Sequence, residues 1–427
     1  MDIRNYYKAM MLMVMSLPFF FFTVLPLHAQ KYVGGDISVL PKYEAQKATF
    51  FDKDGKSIND VLTFVKEQGW NTIRVRLFVD PSKDTDKNVC QDLVFVKQLG
   101  KRIKDAGLYL MLDFHYSDTW ADPAKQWTPD QWKSLSDDDL YKKIYEYTKD
   151  CLEQMKEAGA TPDLIQTGNE ISYGMLWGTE ATAKGNDKNR CYTNSPAANW
   201  ERFITLLKEA GKACREVCPK AQIIIHSERT PKPDVLADFF DRMTAASLDY
   251  DIIGLSYYPY FHGNIATLEK ALQKLEDKNY GKKIQVVETG YPSKWKVEGT
   301  TYDYTDTYPY SHEGQRKYIA DLITTLQKHP QVNGLSWWYA EANAKGCTGS
   351  LAEGWYNASL FDNETGRALP ALYELKAFDD GSTGIVSISA NSAQTDDAWY
   401  SLSGRKLQGK PQQKGIYIKK GEKLIVR

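Results

Sequence analysis

Apolar positions along the chain follow two alternating rhythms. Short, mostly apolar runs at Tyr32 to Gly35, Thr72 to Phe78, Leu108 to Phe114, Leu164 to Thr167, Gln222 to His226, Ile252 to Tyr258, Ile284 to Glu288 and Gly334 to Trp338 have the length and continuity of buried strands. Between them, Ile58 to Gln68, Leu93 to Ala106, Leu140 to Ala158, Ala198 to Val217 and Glu313 to Lys328 repeat apolar residues at three- and four-residue spacings, which predicts amphipathic helices. Strands alternating with helices eight times over predict an α/β fold, a (β/α)8 TIM barrel spanning residues 31–379. Gly69-Trp70-Asn71, Ala106-Gly107 and Gly159-Ala160 then form short turns at its bottom.

Both ends of the chain break this rhythm. Arg4 and Lys8 precede an apolar stretch from Ala9 to Leu25 and then Leu27-His28-Ala29-Gln30, which predicts a signal peptide over residues 1–29, cleaved after Ala29. The product is expected to be exported, to the periplasm, cell surface or medium, without stable membrane insertion. An uncleaved anchor is the alternative, because the stretch nearly reaches the ~20 residues that span a bilayer. After Phe378 the pattern turns into short β-like pieces, 384–389, 398–402, 415–419 and 423–426, which predict a small β-rich tail over 380–427.

Composition narrows the partners. With 54 basic and 55 acidic residues in 427, nothing draws the chain to nucleic acid or anionic lipid, so a neutral substrate is expected. The 11 Trp and 27 Tyr include Trp120, Trp127, Trp132, Trp177, Trp295 and Trp355 in loop-like contexts. Flat rings with a polar edge suit sugar faces, although ordinary packing claims most aromatics in any protein. Six cysteines, Cys90, Cys151, Cys191, Cys214, Cys218 and Cys347, match no common zinc spacing, and their pairing stays open. No obligate oligomer is indicated, and a monomer is expected.

Two glutamates carry the candidate chemistry. Asn169-Glu170 closes one apolar run and Glu288-Thr289 another, which puts both carboxylates at C-terminal strand tips, where an α/β barrel gathers its reactive groups. A lone Glu in such a place is usually a solvated loop residue; a pair is the minimum equipment for cleaving a glycosidic bond. Alternation along the strands then sorts the side chains. Ile284, Val286 and Glu288 share a face, so the apolar pair is expected inside the barrel with Glu288 at the mouth. Arg74 and Arg76 share a face on the second strand, where an arginine keeps a carboxylate ionised. Asp113 and His115 share one on the third. Gly254, Ser256 and Tyr258 share the inner face of the sixth, opposite Ile253, Leu255 and Tyr257, and the Tyr258 hydroxyl is expected to reach Glu288.

The stretches Asp113-Phe-His-Tyr-Ser-Asp-Thr-Trp-Ala-Asp-Pro123, Gln166-Thr-Gly-Asn-Glu170, Gly254-Leu-Ser-Tyr-Tyr-Pro259 and Val287-Glu-Thr-Gly-Tyr-Pro292 resemble glycoside hydrolase family 53, the endo-β-1,4-galactanases, over roughly Val33 to Ala377. The resemblance implies retaining hydrolysis of β-1,4-galactan, with Glu170 as acid/base and Glu288 as nucleophile. It implies that Asn169 binds the sugar hydroxyl beside the reacting carbon, that Arg74, His115 and Tyr258 support them, and that Asp118, Trp120 and Asp122 sit on a loop along the substrate groove. Asp113, His226 and Trp338 complete the candidate substrate-binding set. Ser401 to Arg405 and Lys414 to Ile418 resemble C-terminal β modules of exported Bacteroidetes proteins.

The chain departs from the family at two places. Trp337-Trp-Tyr-Ala-Glu341 replaces the usual Trp-Glu-Pro, and His226-Ser-Glu-Arg-Thr-Pro231 lacks the aromatic that often follows that histidine. Some bacterial relatives bind calcium between the last two loops; here Asp303 and Asp306 offer oxygens without calcium-loop spacing, so no metal is predicted, and the chemistry needs no cofactor. Two rivals stay open: a sister β-glycanase acting on mannan or xylan, and a non-catalytic glycan-binding barrel.

Overall fold

The structure is a computed structural model that describes residues 30–348 and 356–379 and, in the tail, 399–401, 407, 409–411, 415–419 and 422–426. The expected signal peptide, Trp355 and the run at 384–389 lie outside the described residues. The chain divides into two compact units, 1–381 and 382–427.

In the first unit, β1 (Tyr32–Asp36), β2 (Thr72–Leu77), β3 (Tyr109–Phe114), β4 (Leu164–Thr167), β5 (Gln222–Ser227), β6 (Ile252–Tyr257), β7 (Lys283–Thr289) and β8 (Val332–Trp337) close into a parallel barrel in sequence order, β8 returning to β1. Helices α1 (Val61–Glu67), α2 (Leu93–Asp105), α3 (Asp137–Glu157), α4 (Ala197–Val217), α5 (Pro233–Ala245), α6 (Ile265–Lys278), α7 (His312–Leu326) and the short α8 (Pro370–Glu374) follow the strands in turn. Each helix buries a stripe: in α2, Val96, Leu99, Gly100 and Ile103 point to the barrel at helical spacing. Side chains of Asp92, Ser136, Asn264 and Ser311 accept the N–H groups that α2, α3, α6 and α7 leave open at their starts. The expected start of α1 at Ile58 is three residues too early, because Ile58 pairs with Phe50 in a small ribbon and Asp60 caps the helix.

The barrel interior changes character from bottom to top. Met111, Leu164, Ile224, Ile252 and Val287 form an apolar plug inside the lower part. Above it, Arg74, Asp113, Gln166, His226 and Ser256 come from inner faces further along the strands, all fully buried. Gly254 sits between the layers, where a Cβ would lie 2.7 Å from Ile224 Cγ2.

On β7 the expected facing is wrong, though its conclusion for Glu288 is right. Ile284 and Val286 belong to the outer core beneath the helices, and it is Val287 that enters the plug. Glu288 still reaches the mouth because β7 holds an extra residue there: Leu255 pairs with Val286 but Ser256 with Glu288. The bulge resets the alternation, so consecutive side chains lean inward. In the second unit, Trp399–Ser401, Gly415–Lys419 and Glu422–Val426 form a three-stranded antiparallel sheet.

Candidate active site

The loops above the barrel enclose a cleft of about 530 Å³ whose walls include Glu170, Glu288, Asn169, Tyr258, Trp120 and Trp338. Glu170 leaves β4 through Gly168, at φ 106°, and itself holds φ 49°. A non-glycine residue in the left-handed region costs about 1–2 kcal/mol, and such strain collects where a side chain must be aimed.

One hydroxyl ties the two carboxylates together. Ser256 Oγ donates to Glu170 Oε1 at 2.6 Å and lies 3.5 Å from Glu288 Oε2. Those two oxygens are therefore separated by no more than the two contacts end to end, about 6 Å, a ceiling short of the ~6.5–9.5 Å between the carboxyl groups of inverting glycosidases and near the ~5–5.5 Å of retaining ones.

Glu288 is held from below and from the side. Arg74 Nη2 lies 2.9 Å from its Oε1, and the Tyr258 hydroxyl donates to Oε2 at 3.0 Å, as expected from the sequence. Arg74 also pairs with Asp36 at 3.1 Å and Asp113 at 2.8 Å, and donates to Asn169 Oδ1 at 2.9 Å. Burial works against the Arg74 charge, but Asp113, Glu288 and Asp36 outweigh it and raise its pKa. Burial works against the Asp113 charge too, yet Arg74 and His115 hold its carboxyl below the usual range.

The two glutamates separate in proton affinity for a physical reason. Burial, reinforced by the charges of Glu288 and Glu228, pushes Glu170 well above the usual carboxylate range. Burial also pushes Glu288 up, but Arg74 and Tyr258 pull against it. Of the pair, Glu170 therefore has the stronger hold on a proton and Glu288 the stronger support for its charge.

Two neutral histidines fix the neighbouring groups. His226 Nδ1 lies 3.2 Å from the Glu170 N–H, which can only donate, so Nδ1 accepts and Nε2–H is directed at Ser256 Oγ, 2.8 Å away. The Ser256 proton is thereby left for Glu170. His115 Nδ1 accepts from the Ala121 N–H at 3.0 Å, which leaves Nε2, 3.1 Å from Asp113, as the protonated nitrogen. Burial lowers the pKa of both rings. Asn169 Nδ2 donates to the Ala121 carbonyl at 2.8 Å, which orients its amide in the cleft wall.

Aromatic rings line the other side. Trp120 and Trp338 lie with centroids 6.2 Å apart and their planes tilted by 55°, and the Arg76 guanidinium packs 4.8 Å from the Trp120 ring. Trp120 Nε1 donates to Asp86 Oδ2 at 2.8 Å, which leaves the indole edge pinned and one face toward the cleft.

Of the sequence-derived set, His115, Trp120, Asn169, Glu170, Tyr258, Glu288 and Trp338 line the cleft, as does Asp122. Arg74, Asp113 and His226 lie one layer beneath it. Asp118 is not brought there: its carboxylate accepts from the Asp80 and Asp130 N–H groups and staples two loops. Trp132 and Trp177 are buried packing residues rather than cleft walls. Periodicity and motif give no role to Ser256, Gln166 or Glu228, although Ser256 has the correct parity on the inner face of β6. All six cysteines are unpaired. Among the described residues no cluster of three or more His, Cys, Asp or Glu could hold a metal ion, and Asp303 accepts from Thr305 within its own turn.

The family model described as glycosyl hydrolase family 53 matches residues 32–375. An arabinogalactan endo-β-1,4-galactanase of Cellvibrio japonicus is 32% identical over 81% of this chain and 90% of its own length. An uncharacterised protein of Niallia circulans is 36% identical over 81% and 93%. Among solved structures, the GH53 catalytic domain of Ignisphaera aggregans superposes with a TM-score of 0.70 at 32% identity, covering 83% of this chain and 98% of that one.

Proposed function

The chain belongs to glycosyl hydrolase family 53, and on that footing we propose that it is an exported endo-β-1,4-galactanase that cleaves galactan and type I arabinogalactan, the side chains of pectin, with retention of configuration. The observation that carries this reading is the single Ser256 hydroxyl shared by two buried carboxyl groups of which only one, Glu288, faces a buried arginine.

Glu288 attacks the anomeric carbon while Glu170 gives its proton to the glycosidic oxygen, so the C–O bond breaks as a glycosyl ester forms on Glu288. The leaving sugar chain departs with that proton. Glu170, now ionised, takes a proton from water as the water oxygen attacks the same carbon, and Glu288 leaves as the carboxylate. Two displacements restore the β configuration. Tyr258 and Arg74 stabilise the carboxylate of Glu288 before and after the ester exists. Asn169, its Oδ1 held by Arg74, presents its amide to the sugar hydroxyl next to the reacting carbon, a contact that strengthens as the ring gains positive charge. Trp120 and Trp338 offer apolar faces to the sugar rings.

No step calls for a cofactor, and the protein acts as a monomer. Export rests on the charged and apolar pattern of residues 1–29 and on the size of the substrate; among the described residues no helix is long and apolar enough to cross a membrane. Incubating the purified protein with debranched β-1,4-galactan, mannan, xylan and cellulose tests the reading. Short galacto-oligosaccharides released from galactan support it, whereas cleavage of another glycan alone moves the specificity to that polymer.

A further inference from the structure

One carboxyl in the cleft wall has no part in the mechanism above. Glu228 follows β5, beside the tip of β4 that carries Glu170, and is 7% exposed. Ser172 Oγ donates to its Oε1 at 2.6 Å, and Arg229 Nε lies 3.2 Å from the same oxygen. Oε2 is buried just under the cleft surface and has no partner among the described residues. A buried oxygen left in this state costs on the order of 1–3 kcal/mol, so it is a place where an arriving hydroxyl gains more than elsewhere along the wall.

The position along the cleft identifies which sugar would arrive. Glu228 follows β5, the direct neighbour of β4 with its Glu170, whereas Glu288 stands near the end of β7, two strands further round the barrel. Glu228 therefore lies on the acid/base side, where the leaving part of the chain sits. The Ser172–Glu228 pair also stands between the cleft and a second hollow of about 270 Å³ walled by Tyr173, Tyr192, Trp200, Arg229 and Lys232, which gives a departing chain room to continue.

Resting on the hydrolase reading above, we propose that Glu228 is a specificity-determining residue of the leaving-group subsite, where its Oε2 hydrogen-bonds a hydroxyl of the neutral sugar being expelled. Burial pushes its carboxyl up to about 7, so in mildly acidic solution it presents O–H, with Oε1 already facing Ser172 and Arg229.

The test compares two substrates with the same glycone, a galacto-oligosaccharide and an aryl β-1,4-galactobioside whose leaving group has no sugar hydroxyls. In Glu228→Ala, kcat/KM on the oligosaccharide falls on the order of tenfold, the value of one well-made hydrogen bond, while kcat/KM on the aryl substrate stays within about twofold. Glu228→Gln, which keeps a donor and an acceptor, recovers part of the loss. Equal losses on both substrates, or no loss on the oligosaccharide, overturn the proposal. If Glu228→Ala fails to fold, Ser172→Ala loosens Oε1 and must give the same substrate-selective loss. The unmutated enzyme on galactan is the control for the underlying reading: if it cleaves another β-glycan, the same pair of substrates is built on that sugar, and if it cleaves none, both ideas fall.

Discussion

Arg74→Met removes the cation against which Asp113 and Glu288 are held, at 2.8 and 2.9 Å, while Asp36 keeps Arg76 at 2.7 Å. Both orphaned carboxylates are almost completely shielded from solvent, so the change breaks buried pairs from one side, which costs about 3–5 kcal/mol against a total stability of about 5–15 kcal/mol. The sign of the pH dependence is diagnostic. In the wild type, the folded pKa of Asp113 is depressed, so its contribution is present above its unfolded value and is lost as pH falls through the folded one. In the variant, Asp113 and Glu288 are buried without a cation and their folded values rise above about 4, the unfolded value. Their stability is then present below about 4 and lost as pH rises, at up to ~1.4 kcal/mol per pH unit for each carboxylate. The gap between wild type and variant therefore widens from pH 5 to pH 8. Urea unfolding midpoints at both pH values measure it, and a gap below about 1 kcal/mol that is equal at both would refute the reasoning.

Three further outcomes follow from the site. Glu170→Ala lowers kcat on galactan by about 10²–10⁴-fold but spares formation of the glycosyl-enzyme from aryl substrates with good leaving groups, and added azide restores turnover as the β-galactosyl azide, detectable by NMR. Ser256→Ala leaves His226 Nε2 without its acceptor and lets Glu170 swing, so it costs about 1–3 kcal/mol in thermal unfolding and moves the basic limb of the kcat/KM profile; an unchanged profile would remove Ser256 from the account. Trp338→Ala raises KM for galacto-oligosaccharides on the order of tenfold with kcat little changed, as read from initial rates.

Much of this architecture is legible in the sequence, because a parallel strand buried on both faces needs a continuous apolar run and a carboxylate at the end of such a run is conspicuous. The inward facing of Arg74, Asp113 and Ser256 follows from simple alternation. Alternation fails on β7, where an extra residue before Glu288 shifts the register. Gln285 was the clue in the sequence: a polar residue amid Ile284 and Val286 is fully buried inside the barrel, while its apolar neighbours pack against helices. Asp118 reads like its neighbours Trp120 and Asp122, and only its hydrogen bonds with the Asp80 and Asp130 N–H groups reveal that it joins two adjacent loops instead. Ser256 and Gln166 gain their roles from groups on other strands, 86 residues away for Ser256 and Glu170, which one chain's periodicity does not encode. At Glu228 the sequence shows a missing aromatic after His226, but only the fold places the carboxyl in the cleft wall.

Covalent trapping tests the central claim, that Glu288 attacks and Glu170 donates, most directly. Incubation with a 2-deoxy-2-fluoro β-galactobioside bearing a good leaving group, followed by proteolysis and mass spectrometry of the peptides, locates the ester. The account predicts a single label on Glu288 and none on Glu170. Label on any other residue, or product of inverted configuration with no ester formed, would contradict it.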